Sequence, residues 1–285
     1  MDIESEKVVF MHTPKTGGTA LLSILDKQLR KLRRNYLFSF IGGDDSSRFD
    51  DELATKRASG NKCVAEEIHI DSNLINQFIN SPHFIQAKLL FGHTTYSLHD
   101  IFVDYRFKYI CVIREPIERA ISNIVQLSNI VDGRIKFGDH YLDANNFSTE
   151  YWDFIYSILT SEYPVRGLRV HENYYIKNCM THILQGTKYQ DSSTAADLSL
   201  ALDNSRNIHI STYDNFNLGL QNSFDHVGIP IDMSFNIRAA SGEPSPNSRK
   251  VLYGLYYNAP KKIVDYIIET NQADISLYKE LIRRL

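Results

Sequence analysis

The chain opens with a pattern that restricts its fold: a short apolar run, a glycine-containing turn and an amphipathic segment. The run is Lys7–Met11, the turn is His12–Gly18, and the segment Thr19–Leu32 places leucines along one helical face. A buried strand that leads through a tight turn into a helix is the first half of a parallel βα unit. The opening therefore predicts an α/β protein built on a parallel sheet.

The same pattern recurs later in the chain. Further strands are predicted at Lys88–Phe91, Phe107–Ile113 and Asn207–Ser211, and helices at residues 117–128 and 215–227. Pro116 suits the first turn of the helix that follows it. Helical insertions are expected over about residues 148–201, and the segment 249–285 is expected to be helical with a break near Pro260. A length of 285 residues suits a single domain over residues 1–285.

Composition narrows the functional classes. Apolar residues make up 43% of the chain and charged residues 23%, which suits a packed core, and a net charge of −3 disfavours a general nucleic-acid binder. The three cysteines, Cys63, Cys111 and Cys179, lie far apart in the sequence. We expect them to stay reduced, without a disulfide framework or a zinc site.

The most informative segment is residues 12–19, HTPKTGGT, where the first strand gives way to a helix. Free backbone N–H groups and the helix dipole favour an anion at such a junction. The pair Gly17–Gly18 lets the backbone approach that anion closely. Lys15 adds a positive charge, and Thr16 and Thr19 add hydroxyl donors. The segment predicts a pocket for a phosphate-type oxyanion.

This turn is not a Walker A loop, because Lys15 precedes both glycines. The string FMHTPKTGGT instead resembles the 5′-phosphosulfate loop of sulfotransferases that use 3′-phosphoadenosine 5′-phosphosulfate (PAPS). It is most similar to the carbohydrate branch, which includes the heparan sulfate 2-O- and 6-O-sulfotransferases and their bacterial relatives. The resemblance implies that Lys15 contacts the 5′-phosphate and the bridging oxygen of the leaving group, while Thr16, Gly17, Gly18 and Thr19 cradle the phosphate. It also implies a P-loop-containing parallel sheet flanked by helices, with no metal.

A second segment, Tyr109–Asn123 (YICVIREPIERAISN), places Arg114 at the end of a strand and Ser122 two helical turns further on. Open α/β sheets bind ligands outside the carboxyl ends of their strands, where an arginine can grip a phosphate with two parallel hydrogen bonds. The segment resembles the family's 3′-phosphate motif, which implies that Arg114 and Ser122 bind the 3′-phosphate of the nucleotide. Arg119 is expected to pair with Glu115, four residues earlier on the helix.

Transfer to a hydroxyl group also requires a base that removes the proton. His93 is the predicted base, because the segment Phe91–His93 resembles the family's strand-Gly-His element, in which the histidine has that role. The 2-O-sulfotransferase subgroup has a second histidine before the glycine, and here that position is Phe91. His12 is an alternative base, although a role in positioning the loop is favoured for it, and the pair Glu66–Glu67 is a weaker alternative.

Late in the chain, Arg249 and Lys250 loosely match an Arg-Lys pair that closes over the nucleotide in sulfotransferases. A charge pair at the start of a helix is an equally supported alternative.

The expected activity is transfer of a sulfuryl group from PAPS to a hydroxyl group, with a carbohydrate as the expected acceptor. A P-loop kinase or NTPase and a non-catalytic nucleotide- or glycan-binding module are the alternatives. Since no signal peptide or apolar run of ~20 residues is evident, we expect a bacterial cytoplasmic enzyme without a membrane partner, or else a soluble domain trimmed from a Golgi enzyme.

Overall fold

A parallel sheet organises the part of the chain that the structure describes. The structure is a computed structural model and describes residues 6–18, 21, 24–25, 28, 37–39, 85, 87–92, 94–123, 152–153, 156, 159–160, 177–186, 195–233 and 259–285. Its strands are β1 (Glu6–Met11), β2 (Leu37–Ser39), β3 (Leu89–Gly92), β4 (Arg106–Ile113) and β5 (Ile208–Thr212). They lie in the order β2-β3-β1-β4-β5, and every neighbouring pair is parallel. The predicted α/β class with a parallel sheet is confirmed.

Helices connect and flank these strands, because parallel strands need long crossover connections. Helix α1 begins at residue 18 and is described in part to residue 28. The helices that follow are α2 (Leu98–Ile101), α3 (described over residues 116–123), α4 (Cys179–Gln185), α5 (Leu198–Asn204), α6 (Phe216–His226), α7 (Lys261–Thr270) and α8 (Gln272–Arg284). Residues 152–153, 156 and 159–160 are also helical.

The strands predicted from sequence are confirmed as β1, β3, β4 and β5, with ends that differ by one residue at most. Strand β2 was not predicted, because its three residues are too few to show a periodic pattern. The predicted insertion contains α4 and the beginning of α5. The predicted break at Pro260 is confirmed just before α7, while a second break at Asn271, between α7 and α8, was missed.

Alternating residues of the strands form two cores, one on each face of the sheet. Val9 and Met11 of β1 belong to one core together with residues of α4 and α8. Val8 and Phe10 belong to the other, which includes Leu21 and Leu25 of α1 and residues of α6. Because side chains alternate across a strand and helices cover both faces, the strands read as continuous apolar runs.

Two helices from distant parts of the chain cap each other's N-termini. Asp274 of α8 accepts hydrogen bonds from the backbone N–H groups of Met180 (3.1 Å) and Thr181 (2.7 Å) at the start of α4. In return, the side chain of Asn178 accepts hydrogen bonds from the backbone N–H groups of Ala273 (3.1 Å) and Asp274 (3.2 Å) at the start of α8. Orphan N–H groups of both helices are thereby satisfied, and α4 is fixed against α8.

Arg119 belongs to the same buried network, so its predicted pairing with Glu115 is wrong. Nη2 of Arg119 lies 3.5 Å from Oδ2 of Asp274, and both side chains are fully buried. The Glu115 carboxylate instead caps α3, where it accepts a hydrogen bond of 2.7 Å from the N–H of Glu118. The four-residue spacing of Glu115 and Arg119 predicts a pair within a single helix. It does not reveal that Asp274 of another helix, α8, supplies the carboxylate that pairs with Arg119.

Cys111 and Cys179 both lie in the core that includes Val9 and Met11, and both are free thiols. Burial raises the pKa of Cys111 to about 11 and that of Cys179 to about 12, which keeps both protonated at neutral pH. Cys63 lies outside the described residues. Within the described ranges, no helix combines the length and the apolar character needed to cross a membrane.

Asp274→Ala is expected to destabilise the protein far more than Asp265→Ala. Loss of the buried carboxylate removes the ion pair with Arg119 and the cap of α4, which costs about 3–5 kcal/mol. Asp265 pairs with Lys261 on an exposed face of α7, and its loss costs less than about 1 kcal/mol. Urea unfolding followed by circular dichroism measures both variants, and equal losses would contradict the role given to Asp274.

Candidate functional site

The chain leaves the neighbouring strands β1 and β4 in opposite directions. After β1 it continues to β2 on one side of the sheet, and after β4 the next strand is β5 on the other side. Adjacent strands whose connections diverge open a crevice beyond their carboxyl ends, and open α/β sheets bind their ligands there. The loop of residues 12–18 follows β1 and Arg114 follows β4, so both border this crevice.

Lys15 and Arg114 meet at the crevice. Nη1 of Arg114 donates a hydrogen bond of 3.0 Å to the carbonyl oxygen of Lys15. The guanidinium also lies 4.6 Å from the centroid of the Tyr213 ring, and its Nη2 lies 3.4 Å from Oε2 of Glu118. The Arg114 side chain is 7% exposed, and its Nε has no hydrogen-bond acceptor among the described residues. A buried donor in that state lacks the partner that most buried polar groups have, and an oxyanion can supply one.

The backbone of the loop alternates in φ as an anion-binding nest does. Lys15 has a φ of 69° and Gly17 a φ of 80°, whereas Thr16 between them is outside the positive-φ region. Alternation of this kind turns successive N–H groups toward one concave side, where they can bind an anion. Positive φ is uncommon for residues other than glycine, so the bond from Arg114 to the Lys15 carbonyl helps to hold an unfavourable conformation.

Gly18 is required by His12, the first residue of the loop. A Cβ atom on Gly18 would lie 1.9 Å from Nε2 of His12. The imidazole is buried and stacks on the Phe91 ring, with 5.7 Å between centroids. This packing under the loop supports the positioning role of His12 over the alternative role of base.

Two aromatic residues that no sequence motif singled out also pack against the loop. A Cβ atom on Gly17 would lie 3.3 Å from the rings of both Tyr213 and Phe216. The N–H of Tyr213 donates a 2.8 Å hydrogen bond to the carbonyl of Ile113, which places its backbone next to the end of β4. The sequence contained one signal for these two residues: they follow the last predicted strand, whose end lies at the same edge of the sheet as Lys15.

Two further predicted site residues, Thr16 and Ser122, are buried. The Thr16 hydroxyl was expected to serve as a donor for the anion, but it donates a 2.7 Å hydrogen bond to the Thr13 carbonyl and closes the loop. Thr16 can therefore contribute to anion binding through its N–H. Ser122 is 7% exposed and lies on α3, which begins with Pro116 as predicted and directly follows the segment that carries Arg114.

Several predicted site residues lie outside the described residues: Thr19, His93, Arg249, Lys250 and the alternative bases Glu66 and Glu67. The residues on either side of His93 are described. Gly92 pairs with Met11 across the β1–β3 ladder, and its carbonyl accepts a 3.0 Å hydrogen bond from the N–H of Thr94.

Charged side chains of both signs lie close together at the edge of the sheet where β1 and β4 end. Burial lowers the pKa of Lys15 to about 8, and the nearby Arg114 adds to the shift. Burial also raises the pKa of Tyr278 of α8, and the carboxylates of Asp214, Glu115 and Glu118 raise it further. Two repelling cations favour an anion between them, and the flanking carboxylates oppose it.

Similarity to known proteins does not identify the function of this site. No protein-family model matches the chain, and no curated protein or solved structure matches it. The function of the site must therefore be inferred from the chemistry and the geometry of its residues.

Gly18→Ala is expected to destabilise the protein by more than about 1 kcal/mol, because the new methyl group overlaps the His12 ring. In a His12→Ala background the ring is absent and the penalty should shrink, which gives a coupling of about 1 kcal/mol or more. Urea unfolding of the wild type, both single variants and the double variant measures this coupling. Strictly additive effects would show that the ring does not limit the size of residue 18.

Proposed function

We propose that the protein is a sulfotransferase that moves a sulfuryl group from PAPS to a hydroxyl group of a carbohydrate. The bond between Arg114 and the Lys15 carbonyl carries the proposal. It joins the segment that resembles a 5′-phosphosulfate loop to the segment that resembles a 3′-phosphate motif. The two segments are nearly a hundred residues apart in sequence, yet they border one crevice. A nucleotide with two separate phosphate groups has the charge and the length to bind both.

In this proposal the loop after β1 is a P-loop-like cradle for the 5′-phosphosulfate. The N–H groups of Thr16, Gly17 and Gly18 bind the phosphate oxygens, and Thr19 extends the cradle into α1. Lys15 lies at the bridging oxygen, where negative charge develops as the bond from sulfur to that oxygen breaks. A cation held at that point stabilises the transition state more than the ground state.

Arg114 and Ser122 bind the 3′-phosphate, and the unpartnered Nε of Arg114 is the donor that supports this role. Arg249 and Lys250 close over the nucleotide. His93 removes the proton of the acceptor hydroxyl as its oxygen attacks sulfur in line with the leaving group. The bisphosphate product then leaves with the electron pair of the broken bond.

A thermal-shift comparison tests the donor class. Adenosine 3′,5′-bisphosphate, the product of transfer, is expected to stabilise the protein by about 2.7 kcal/mol at a hundredfold excess over its dissociation constant. ATP with magnesium should stabilise it less at the same concentration. A larger shift with ATP and magnesium would favour the kinase or NTPase alternative over the proposal.

Transfer of a labelled sulfuryl group to a panel of carbohydrate and simple alcohol acceptors tests catalysis. Three site variants and one control variant are compared in the same assay. Lys15→Ala and His93→Ala should each lose about 100-fold or more in turnover, and Arg114→Ala should mainly weaken donor binding. Lys261→Ala, which changes an exposed lysine of α7, is the control and should retain activity. Full activity in His93→Ala would reject the base, and donor binding without transfer to any acceptor would favour a binding module.

The affinity for the bisphosphate is expected to fall as the pH rises through about 8. The pKa of Lys15 is lowered to about 8, so the free protein loses this positive charge above that pH, and binding must then take up a proton. Lys15→Arg keeps a permanent charge and should flatten the dependence. Calorimetric titrations between about pH 7 and pH 9 measure both proteins, and equal slopes would show that Lys15 is not the titrating group.

A further inference from the structure

The guanidinium of Arg114 is anchored at one end and only loosely paired at the other. Nη1 is bonded to the Lys15 carbonyl at 3.0 Å. The opposite edge, formed by Nε and Nη2, is the edge that grips an oxyanion with two parallel hydrogen bonds. Of these two donors, Nε has no acceptor among the described residues, and Nη2 is 3.4 Å from Oε2 of Glu118. Glu118 therefore occupies half of the edge that the proposed function assigns to the 3′-phosphate.

We propose that the Glu118 carboxylate competes with the 3′-phosphate for Arg114. The carboxylate must leave Nη2 before Arg114 can bind the phosphate through both donors. The inference rests on the proposed function and deepens it, because it assigns to Glu118 a role in setting donor and product affinity. The bisphosphate product carries the same 3′-phosphate as the donor. A carboxylate that competes for Arg114 weakens retention of the product as well.

The contact geometry supports displacement. A strong ion pair between a guanidinium and a carboxylate has a separation of about 2.7–2.9 Å, and the distance of 3.4 Å is well beyond that. The Glu118 side chain is 26% exposed, so it has a route to solvent when it leaves.

Arg114 does not depend on Glu118 for its position. Its Nη1 is fixed to the Lys15 carbonyl, and the Tyr213 ring lies 4.6 Å from the guanidinium. These contacts remain when Glu118 moves away. Replacement of Glu118 should therefore leave the guanidinium in place and expose its second donor.

The neighbouring carboxylate of Glu115 is held elsewhere. Its Oε2 accepts a 2.7 Å hydrogen bond from the backbone N–H of Glu118, which ties it to the first turn of α3. Burial raises the pKa of Glu115, and the Glu118 carboxylate adds to that shift, so the two acidic groups lie close together. Because Glu115 is tied to the helix, it is poorly placed to replace Glu118 at Nη2.

Glu118→Gln tests the inference, because it removes the charge and keeps the shape of the side chain. The matched control is Glu280→Gln, which removes a carboxylate that pairs with Arg283 at 2.6 Å on the exposed surface of α8. Calorimetric titration measures the affinity of the wild type and both variants for adenosine 3′,5′-bisphosphate and for adenosine 5′-monophosphate, which lacks the 3′-phosphate. Thermal unfolding verifies that each variant is folded.

Glu118→Gln is expected to bind the bisphosphate about 3- to 10-fold more tightly than the wild type, with the affinity for the monophosphate changed by less than about twofold. Glu280→Gln should match the wild type for both nucleotides. Unchanged or weaker bisphosphate binding in Glu118→Gln would overturn the inference, and so would an equal gain for the two nucleotides, which would indicate a general charge effect. If the wild type does not prefer the bisphosphate to the monophosphate, the proposed function fails, and the inference fails with it.

Discussion

The hydrogen bond from Arg114 to the carbonyl of Lys15 is the contact on which the candidate site depends. It joins the residue after β4 to the loop after β1, and the register of the two strands, with Met11 opposite Cys111, determines that their ends meet. Burial lowers the pKa of Lys15, and the guanidinium that this bond holds nearby adds to the shift. Two cations held together by the sheet favour an anion at this edge, which is a contribution to electrostatic preorganisation.

The position of α3 depends in turn on residues from the other end of the chain. Arg119 of this helix is paired with Asp274, and Asp274 also caps α4. Burial of an ion pair is weak evidence for net stability, but loss of one partner is severe, because the other charge remains buried. The network thus fixes α3, the helix that carries Glu118 and directly follows Arg114, against α4 and α8.

Local patterns in the sequence predicted most of the sheet and the loop between β1 and α1. Continuous apolar runs identified the longer strands, and the pair Gly17–Gly18 after such a run identified the turn. The contacts of Arg119 with Asp274 and of Gly17 with Tyr213 were not predictable in this way, because each joins segments that are far apart in sequence. The Thr16 hydroxyl was assigned to the anion for a related reason: sequence shows a donor but not the neighbouring carbonyl of Thr13 that accepts from it.

Lys15 has two separable functions in the loop. Its backbone takes part in the alternation of φ, and its side chain carries the charge. A left-handed conformation costs roughly 1–2 kcal/mol for any residue with a Cβ atom other than asparagine or aspartate, so alanine and arginine bear about the same backbone penalty as lysine. Replacement of Lys15 by either residue therefore leaves the shape of the nest largely unchanged. A change in binding or turnover at this position then reports on the charge and reach of the side chain, which are the properties that the proposed transfer requires.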